Sequence, residues 1–233
     1  MRTDLGGHPL QDFRAGRRWL AEEVHRRKEM DRVSVLNTFA NTCTAGVVAA
    51  AAGARLVCNV DVSASCLTDG QRNAALNGVE METLRYDAIP AMRMFAGMPI
   101  AQDRRRRPAS APRRGEDPKP APAQKKLKPR RFSIVVLDPP TFAKGSGGVV
   151  DIIRDYNSLL KPALMSLEEG GVVLATHHAA RIGMEEWRAN CVRCAEKCGR
   201  PLAAEPEVVA PDADYPVRTG TEGHLLKMLV LRV

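Results

Sequence analysis

The sequence contains no apolar run of the roughly 20 residues that a membrane-spanning helix requires. Its start, Met1–Asp4, lacks the hydrophobic segment of a secretory signal peptide. Its six cysteines are spread over 233 residues and form no compact disulfide framework. These absences argue against a membrane-embedded or disulfide-stabilised extracellular protein. We therefore expect a reducing compartment, the cytoplasm or an organellar matrix.

Two common nucleotide-binding fingerprints are also absent. The turn after the first predicted strand, Asn37–Gly46, contains neither Gly-x-Gly-x-x-Gly nor a Walker loop, so NAD and ATP are weak cofactor candidates. Cys191, Cys194 and Cys198 fall on one predicted helix and lack a second half-site of matching spacing. That placement favours packing over zinc binding, and no metal site is predicted.

The positive charge is concentrated in one segment. The net charge is +8, and much of it comes from Arg104–Arg131, outside which the chain is nearly neutral. Residues Pro99–Arg131 are rich in proline, alanine, arginine and lysine, with almost no large apolar residue to bury. We predict a disordered basic insertion at 99–131 within a single domain at 1–233. Its charges could neutralise phosphates without reading a sequence, or the segment could be a solvated spacer.

Strand-like and helix-like segments alternate along the rest of the chain, which is typical of a parallel sheet covered by helices. The predicted strands are Arg32–Asn37, Arg55–Asp61, Glu82–Tyr86, Phe132–Asp138, Gly170–Thr176, Leu202–Val209 and Leu225–Val233. The predicted helices are Asp12–Met30, an Ala/Val-rich segment ending at Gly53, Ser63–Leu76, Asp151–Leu167 and Gly183–Cys198. The last loop is too short for a helical crossover, so the final two strands should be antiparallel. This pattern predicts a doubly wound α/β domain with a seven-stranded, mostly parallel sheet and an antiparallel last strand.

Polar residues stand at the ends of several predicted strands. Asn37, Asp61, Asp87 and Asp138 all fall there, and the carboxyl ends of parallel strands form the ligand-binding edge of such a sheet. An acid closing the second strand, as Asp61 does, suits the two hydroxyls of a ribose, since one carboxylate accepts both. The alternative is a helix N-cap, for which Asp61 and Ser63 are both suitable.

The segment Asp138–Phe142, Asp-Pro-Pro-Thr-Phe, directly follows the most apolar predicted strand. Pro139 and Pro140 fix the backbone and form a rigid ledge. Asp138 can present its carboxylate or its backbone carbonyl to a base amino group or to a sulfonium. Phe142 offers a face on which a planar base can stack. The alternative is an ordinary turn with a buried aromatic side chain.

With these motifs the sequence resembles the large-subunit ribosomal RNA methyltransferase family, whose bacterial members methylate carbon 5 of cytosine or nitrogen 7 of guanine. The resemblance is strongest at Val35–Thr42, the strand ending at Asp61, Asn73–Gly78 and Leu137–Lys144. It also includes Leu10–Trp19, which is similar to the family's Asp-x-Arg-x-x-Arg segment, and further includes Arg154–Tyr156, Glu169–Gly171 and the C-terminal strand. It spans nearly the whole chain except Pro99–Arg131.

The resemblance implies a Rossmann-like methyltransferase fold, S-adenosylmethionine (SAM) as cofactor and RNA, in particular ribosomal RNA, as partner. It implies that Asp61 binds the SAM ribose, that Asp87 lies by the adenine, and that Phe39 and Asn41 line the methionine side. Asp12 and Arg14 would belong to the segment that covers the cofactor. The methyl-transfer residues would be Asp138, Pro139, Pro140 and Phe142.

The chain departs from the family at two places that concern chemistry. The family's Phe-x-Tyr-Thr-Gly has Asn41 in place of tyrosine and Cys43 in place of glycine. The cytosine branch places a nucleophilic cysteine after the fifth strand, where this chain has Ala175–Ala179, Ala-Thr-His-His-Ala. Because cytosine carbon 5 needs a thiolate adduct at carbon 6, we predict direct methyl transfer without a cysteine nucleophile.

Three interpretations stay open for His177 and His178: a polar strand end lining the pocket, a base-contacting imidazole, or a catalytic base. Two rival functions also remain. One is a catalytically weak or inactive methyltransferase-fold protein that serves as an RNA-binding or ribosome-assembly factor. The other, a small-molecule methyltransferase, is disfavoured by the basic insertion and by the segment at Asp138–Phe142.

Overall fold

A computed structural model of the chain describes residues 13–27, 33–100, 126–140, 142–145, 148–151, 155–212 and 226–233. Within 142–145 and 148–151 it describes the backbone alone. The predictions for Asp12, for most of the basic insertion and for the side chain of Phe142 lie outside the described residues.

The core of the described structure is a seven-stranded sheet. Its strands are β1 (Ser34–Thr38), β2 (Leu56–Asp61), β3 (Glu82–Arg85), β4 (Phe132–Leu137), β7 (Leu167–His177), β8 (Glu207–Val208) and β9 (Lys227–Arg232). Their spatial order is β3-β2-β1-β4-β7-β9-β8. The pairings from β3 to β7 are parallel, whereas β9 is antiparallel to both β7 and β8. The predicted doubly wound sheet with an antiparallel last strand is confirmed.

Helices cover both faces of this sheet. They are α1 (Arg14–Arg27), α2 (Thr44–Ala51), α3 (Ala64–Leu76), α4 (Ala88–Phe95), α5 (Asn157–Met165) and α6 (Met184–Lys197). The contacts run α1–α2–α3 in one layer and α4–α5–α6 in the other. None of the helices in the described parts of the chain combines the length and apolarity needed to cross a membrane.

The central strand β4 explains how the two layers hold together. All six of its residues are buried, and successive side chains point to opposite faces. Ile134 and Val136 pack with α1 and α2, while Val135 and Leu137 pack with α4, α5 and α6. A strand that is apolar on both faces can only be central in a covered parallel sheet. Asp138, which follows the carboxyl end of β4, therefore lies near the middle of the carboxyl edge of the sheet.

An ion cluster around a buried carboxylate links α1 to strands β7 and β9. Glu23 is 3% exposed and accepts hydrogen bonds from Arg26, Arg27 and Arg232, the last on β9. Arg27 also donates to the backbone oxygen of Gly170, 2.9 Å away, in β7. Burial opposes the charged carboxylate, but the three guanidinium groups outweigh it and lower the pKa of Glu23 to about 2. The ion cluster thus fixes the position of the N-terminal helix.

Some element boundaries differ from the sequence prediction. The predicted helix Asp151–Leu167 is shorter: α5 spans Asn157–Met165, and Asp151 instead ends a hairpin of β5 (Phe142–Gly145) and β6 (Gly148–Asp151). The predicted strand Leu202–Val209 is reduced to two residues, Glu207 and Val208.

The ends of the basic segment meet the described structure at the amino edge of the sheet. Arg130 donates its backbone N–H to Phe95 at the end of α4, and its guanidinium pairs with Glu82 at the start of β3. The same guanidinium lies 5.0 Å from the centre of the Phe132 ring. On the departing side, Arg93 binds the backbone oxygen of Pro99. Both attachment points therefore lie at the edge opposite Asp61 and Asp138.

Candidate active site at the carboxyl edge of the sheet

The turn after β1 has an unusual backbone. Phe39, Asn41 and Cys43 have positive φ angles of 55°, 47° and 59°, a region that non-glycine residues rarely adopt. Each such residue costs on the order of 1 kcal/mol and persists only where its surroundings hold it. Here Ala40 donates to the backbone oxygen of Val60 at 3.0 Å, and Asn41 donates its backbone N–H to Asp61 Oδ2 at 2.8 Å. The turn is thus held against the end of β2.

Asp61 lies between this turn and the start of α3. Its Oδ2 accepts from Asn41, and its Oδ1 accepts from the backbone N–H of Ser63 at 2.8 Å. Ser63, not Asp61, is the N-cap of α3 and accepts from the N–H of Cys66. A carboxylate offers about four acceptor positions, so Asp61 keeps capacity for two further donors. The carboxylate therefore both organises the turn and can bind hydroxyl groups.

Asn41 leaves a buried acceptor without a partner. No donor among the described residues reaches its Oδ1, although this atom is buried. A buried polar atom without a hydrogen bond costs about 1–3 kcal/mol, so such an atom next to Asp61 indicates a missing donor. A ligand with hydroxyl and ammonium donors fits the pair of Asp61 and Asn41.

Asp138 lies at the same edge and is held by the neighbouring strand. Its Oδ1 accepts from Thr176 Oγ1 and lies 2.9 Å from His178 Nε2. The side chains of Asp138 and His178 are 16% and 17% exposed. This contact follows from the parallel register in which Leu137 of β4 faces Ala175 of β7. Sequence reasoning placed both segments at strand ends but missed the contact; the His-His pair after the fifth predicted strand was the available signal.

His177 points into the core. It is 2% exposed, and its Nδ1 accepts from the backbone N–H of Ala179 at 3.1 Å. Its ring stacks on Tyr156 at 5.5 Å and meets Trp187 edge-on at the same distance. Burial, followed by the charge of Lys227, lowers the pKa of His177 to about 4, so it is neutral near pH 7. Its contacts are those of a packing residue, whereas His178 contacts the carboxylate of Asp138.

Comparison with known proteins connects this edge to a family. Residues 2–95 match the family model of S-adenosylmethionine-dependent methyltransferases. Ribosomal RNA large subunit methyltransferase K/L of Psychrobacter sp. (strain PRwf-1) is 32% identical over 154 residues, which cover 65% of this chain and 16% of that protein. Ribosomal RNA large subunit methyltransferase I of Aeromonas salmonicida is 27% identical over 202 residues, covering 85% of this chain and 43% of that protein.

The chain is thus similar to S-adenosylmethionine-dependent methyltransferases, most clearly over residues 2–95. It spans less than half the length of these curated relatives. The crystal structure of a SAM-dependent methyltransferase from Agrobacterium tumefaciens covers 97% of this chain and 62% of its own, with a TM-score of 0.66 and 19% identity. At that identity the structural likeness supports the fold, and the fold prediction is confirmed by it.

The cysteine in the turn after β1 is accommodated by a glycine opposite. Cys43 is fully buried, and a Cβ added at Gly70 of α3 would lie 2.4 Å from Cys43 Sγ. The missing side chain of Gly70 therefore makes room for the sulfur. Burial, and secondarily the negative charge of Asp61, raises the pKa of the Cys43 thiol to about 12. The thiol stays protonated near neutral pH, which makes Cys43 a poor nucleophile.

The remaining predicted site residues are Asp87, Phe39, Pro139, Pro140 and Arg14, and most of them lie near the same edge. Asp87 is the N-cap of α4 and accepts from the N–H of Ile89 at 3.1 Å; β2 and β1 lie between its strand, β3, and β4, which leads to Asp138. Phe39 is half-buried against the core, Pro139 is buried, and Pro140 is exposed. Arg14 is half-exposed and pairs with Asp212, which also binds Arg18. The structure thus brings Phe39, Asn41, Asp61, Asp87 and Asp138 to one edge.

Cys191 and Cys194 of α6, and Cys198 at its C-cap, are packing residues. Cys191 and Cys194 are buried against the core, and Cys198 is packed beside it. Burial raises the pKa of all three thiols, most for Cys191. Among the described residues no group of three or more His, Cys, Asp or Glu side chains could hold a metal ion. Their spacing reflects one inward helix face.

Proposed function

We propose that the chain is the catalytic domain of a SAM-dependent RNA base methyltransferase that acts on large-subunit ribosomal RNA. The observation that supports it most is the placement of Asp61, the turn before α2 and Asp138 along one sheet edge. The names of the relatives, large-subunit ribosomal RNA methyltransferases, point to the substrate.

Different residues along this edge would bind different parts of the cofactor. SAM supplies an activated methyl group on a sulfonium. Asp61 would accept the ribose hydroxyls, and Asp87 would lie by the adenine. Phe39 and Asn41 would line the methionine side, where the unpartnered Asn41 Oδ1 can accept from an ammonium. Asp12 and Arg14 would cover the bound molecule.

The acceptor base would lie against the segment that follows β4. Asp138, Pro139 and Pro140 would form its ledge, and Phe142 would stack on it. A ring nitrogen such as guanine N7 already has a lone pair, so it needs positioning near the methyl group more than a base. The Asp138 carboxylate would offset the positive charge that such a ring gains. The direct transfer that the sequence predicts requires no thiol.

The first experiment is transfer of a labelled methyl group from SAM. We expect incorporation into bacterial large-subunit ribosomal RNA above that into small-subunit ribosomal RNA and tRNA, with mass spectrometry locating the methyl group on a base. Calorimetric titration with SAM accompanies it. A chain that binds RNA but neither binds SAM nor transfers methyl groups would instead be a non-catalytic RNA-binding protein, the alternative function.

A mechanism-based probe separates the acceptor atoms. We expect no denaturation-resistant complex when the chain is incubated with SAM and RNA containing 5-fluorocytosine, because such complexes require a thiolate attacking carbon 6. The thiols of Cys43 and Cys191 are buried with raised pKa values. A covalent adduct seen on a denaturing gel and mapped to any cysteine would refute direct transfer.

The basic segment 99–131 remains a prediction, since residues 101–125 lie outside the described part of the chain. In the proposed enzyme its lysines and arginines would bind RNA phosphates without reading sequence. The described residues Lys126 and Lys128 are exposed and extend this charge to the amino edge of the sheet.

A further inference from the structure

Within the described part of the chain, the hydrogen bonds to the Asp138 carboxylate all fall on one oxygen. Thr176 Oγ1 and His178 Nε2 both contact Oδ1, whereas no described residue is hydrogen-bonded to Oδ2. An ionised carboxylate can only accept hydrogen bonds. The Thr176 hydroxyl and the His178 Nε2–H are therefore the donors, and Oδ2 keeps its capacity to accept as far as the described residues are concerned.

We propose that His178 is a positioning residue for methyl transfer: with Thr176 it fixes the Asp138 carboxylate so that Oδ2 meets the methyl-accepting base. This inference rests on the proposed function. In this role His178 acts through Asp138 and is not itself a catalytic base. The family resemblance does not assign this role to His178.

Three hydrogen bonds hold the backbone that carries Thr176 and His178. Tyr156 donates its hydroxyl to the backbone oxygen of Thr176 at 3.0 Å, and Lys227 binds the backbone oxygen of Ala179 at 2.8 Å. Between them, the buried His177 accepts from the N–H of Ala179. The backbone from 176 to 179 therefore cannot shift easily. A charged group held in advance stabilises developing charge without reorganising during the reaction.

The chemical step explains why a fixed carboxylate matters. The acceptor nitrogen uses its lone pair to form a bond to the methyl carbon as the carbon–sulfur bond breaks, and that bonding pair stays on sulfur. The positive charge passes from sulfur to the base, and no proton leaves in this step when the acceptor is a ring nitrogen. Asp138 Oδ2 beside the base opposes the new positive charge, and its orientation depends on His178 and Thr176.

The kinetic test compares two substitutions at one position. In His178→Leu we expect kcat to fall about 10- to 100-fold, the worth of one hydrogen bond to a charged group, with KM for SAM and for RNA within about two-fold. In His178→Gln the amide N–H can replace Nε2–H, and we expect kcat within about five-fold of the parent chain. A His178→Leu chain with parental kcat, or a His178→Gln chain as slow as His178→Leu, would overturn the proposal.

Substitutions at Thr176 provide a second, matched test of the proposal. Thr176→Val removes the other donor with little change of shape, and Thr176→Ser keeps it. Because both donors act on one oxygen, the effects of Thr176→Val and His178→Leu should be coupled, so that the double variant differs from the product of the single losses. Independent losses that multiply would argue against a shared role through Asp138.

A second readout does not depend on activity. Nitrogen-15 NMR of the imidazoles should show neutral His178 protonated at Nε2, and Asp138→Asn should shift that signal while leaving His177 little changed. A His178 protonated at Nδ1, or one insensitive to Asp138→Asn, would overturn the proposal. If the parent chain methylates no RNA, the proposed function fails by that result, whereas the NMR measurement still decides the arrangement of His178.

Discussion

SAM binding should weaken by about 10- to 150-fold, or 1.5–3 kcal/mol, when Asp61 is replaced with alanine. The carboxylate contributes twice in the proposed site. It is positioned to accept ribose hydroxyls, and its Oδ2 already accepts from Asn41 in a turn with three positive φ angles. Without that acceptor the turn loses a restraint against its strain. Calorimetric titration of folded chains with SAM measures the loss.

Two companion variants make this result specific. Asp69→Ala removes an exposed carboxylate of α3 that forms an ion pair with Arg72 on its own helix, and it should leave the SAM affinity unchanged. Asp61→Asn keeps one acceptor oxygen and should fall between the parent and Asp61→Ala. An Asp61→Ala chain that is folded by circular dichroism and binds SAM as tightly as the parent would remove Asp61 from the site.

Glu23→Ala should lower the free energy of unfolding by about 3–5 kcal/mol, because it leaves several guanidinium groups close together without their carboxylate. Arg27 and Arg232 lose a partner that is 3% exposed. Denaturant titration measures the change. The matched control is Glu22→Ala, the exposed neighbour on the same helix, which should change stability by no more than about 0.5 kcal/mol.

The same carboxylate predicts a pH dependence of stability. The pKa of Glu23 is lowered from 4.5 to about 2 in the folded chain. Its contribution to stability, about 3 kcal/mol, is therefore fully present above pH 4.5 and is lost as the pH falls from 4.5 towards 2. Glu23→Gln should remove this part of the acid destabilisation. An equally steep decline between pH 4.5 and 2 in Glu23→Gln would contradict the assignment.

The parallel sheet could be predicted because its strands have strong local patterns. Phe132–Leu137 is apolar at all but one position, which only a central strand tolerates. Helix α4 was missed because it has only eight residues and contains Pro90. This proline lies in the first turn, where the helix makes no use of its missing N–H. The hairpin β5–β6 was missed because its two four-residue strands are too short to show a period.

The site was only partly predictable for a different reason. Each polar residue could be assigned to a strand end, but contacts between them depend on register. Asp138 and His178 are 40 residues apart and meet because β4 and β7 are aligned. The departure at Cys43 was visible in the sequence, whereas its accommodation by Gly70 required the packing of α3 on the turn. Asn37 was expected at the edge, but β1 continues through Thr38 and buries Asn37 against Asn59.

The two attachment points of the basic segment lie far from the candidate active site. Strand β4 has six residues, so about 20 Å lies between the amino edge, where that segment joins, and Asp138. Each doubling of the segment's length costs only about 0.6 kcal/mol in loop closure, and both attachment points lie away from the opposite edge. Evolution can therefore lengthen, shorten or recharge this part of the chain as an independent module. The same separation makes it a suitable place to insert a fluorescent reporter without disturbing the chemistry.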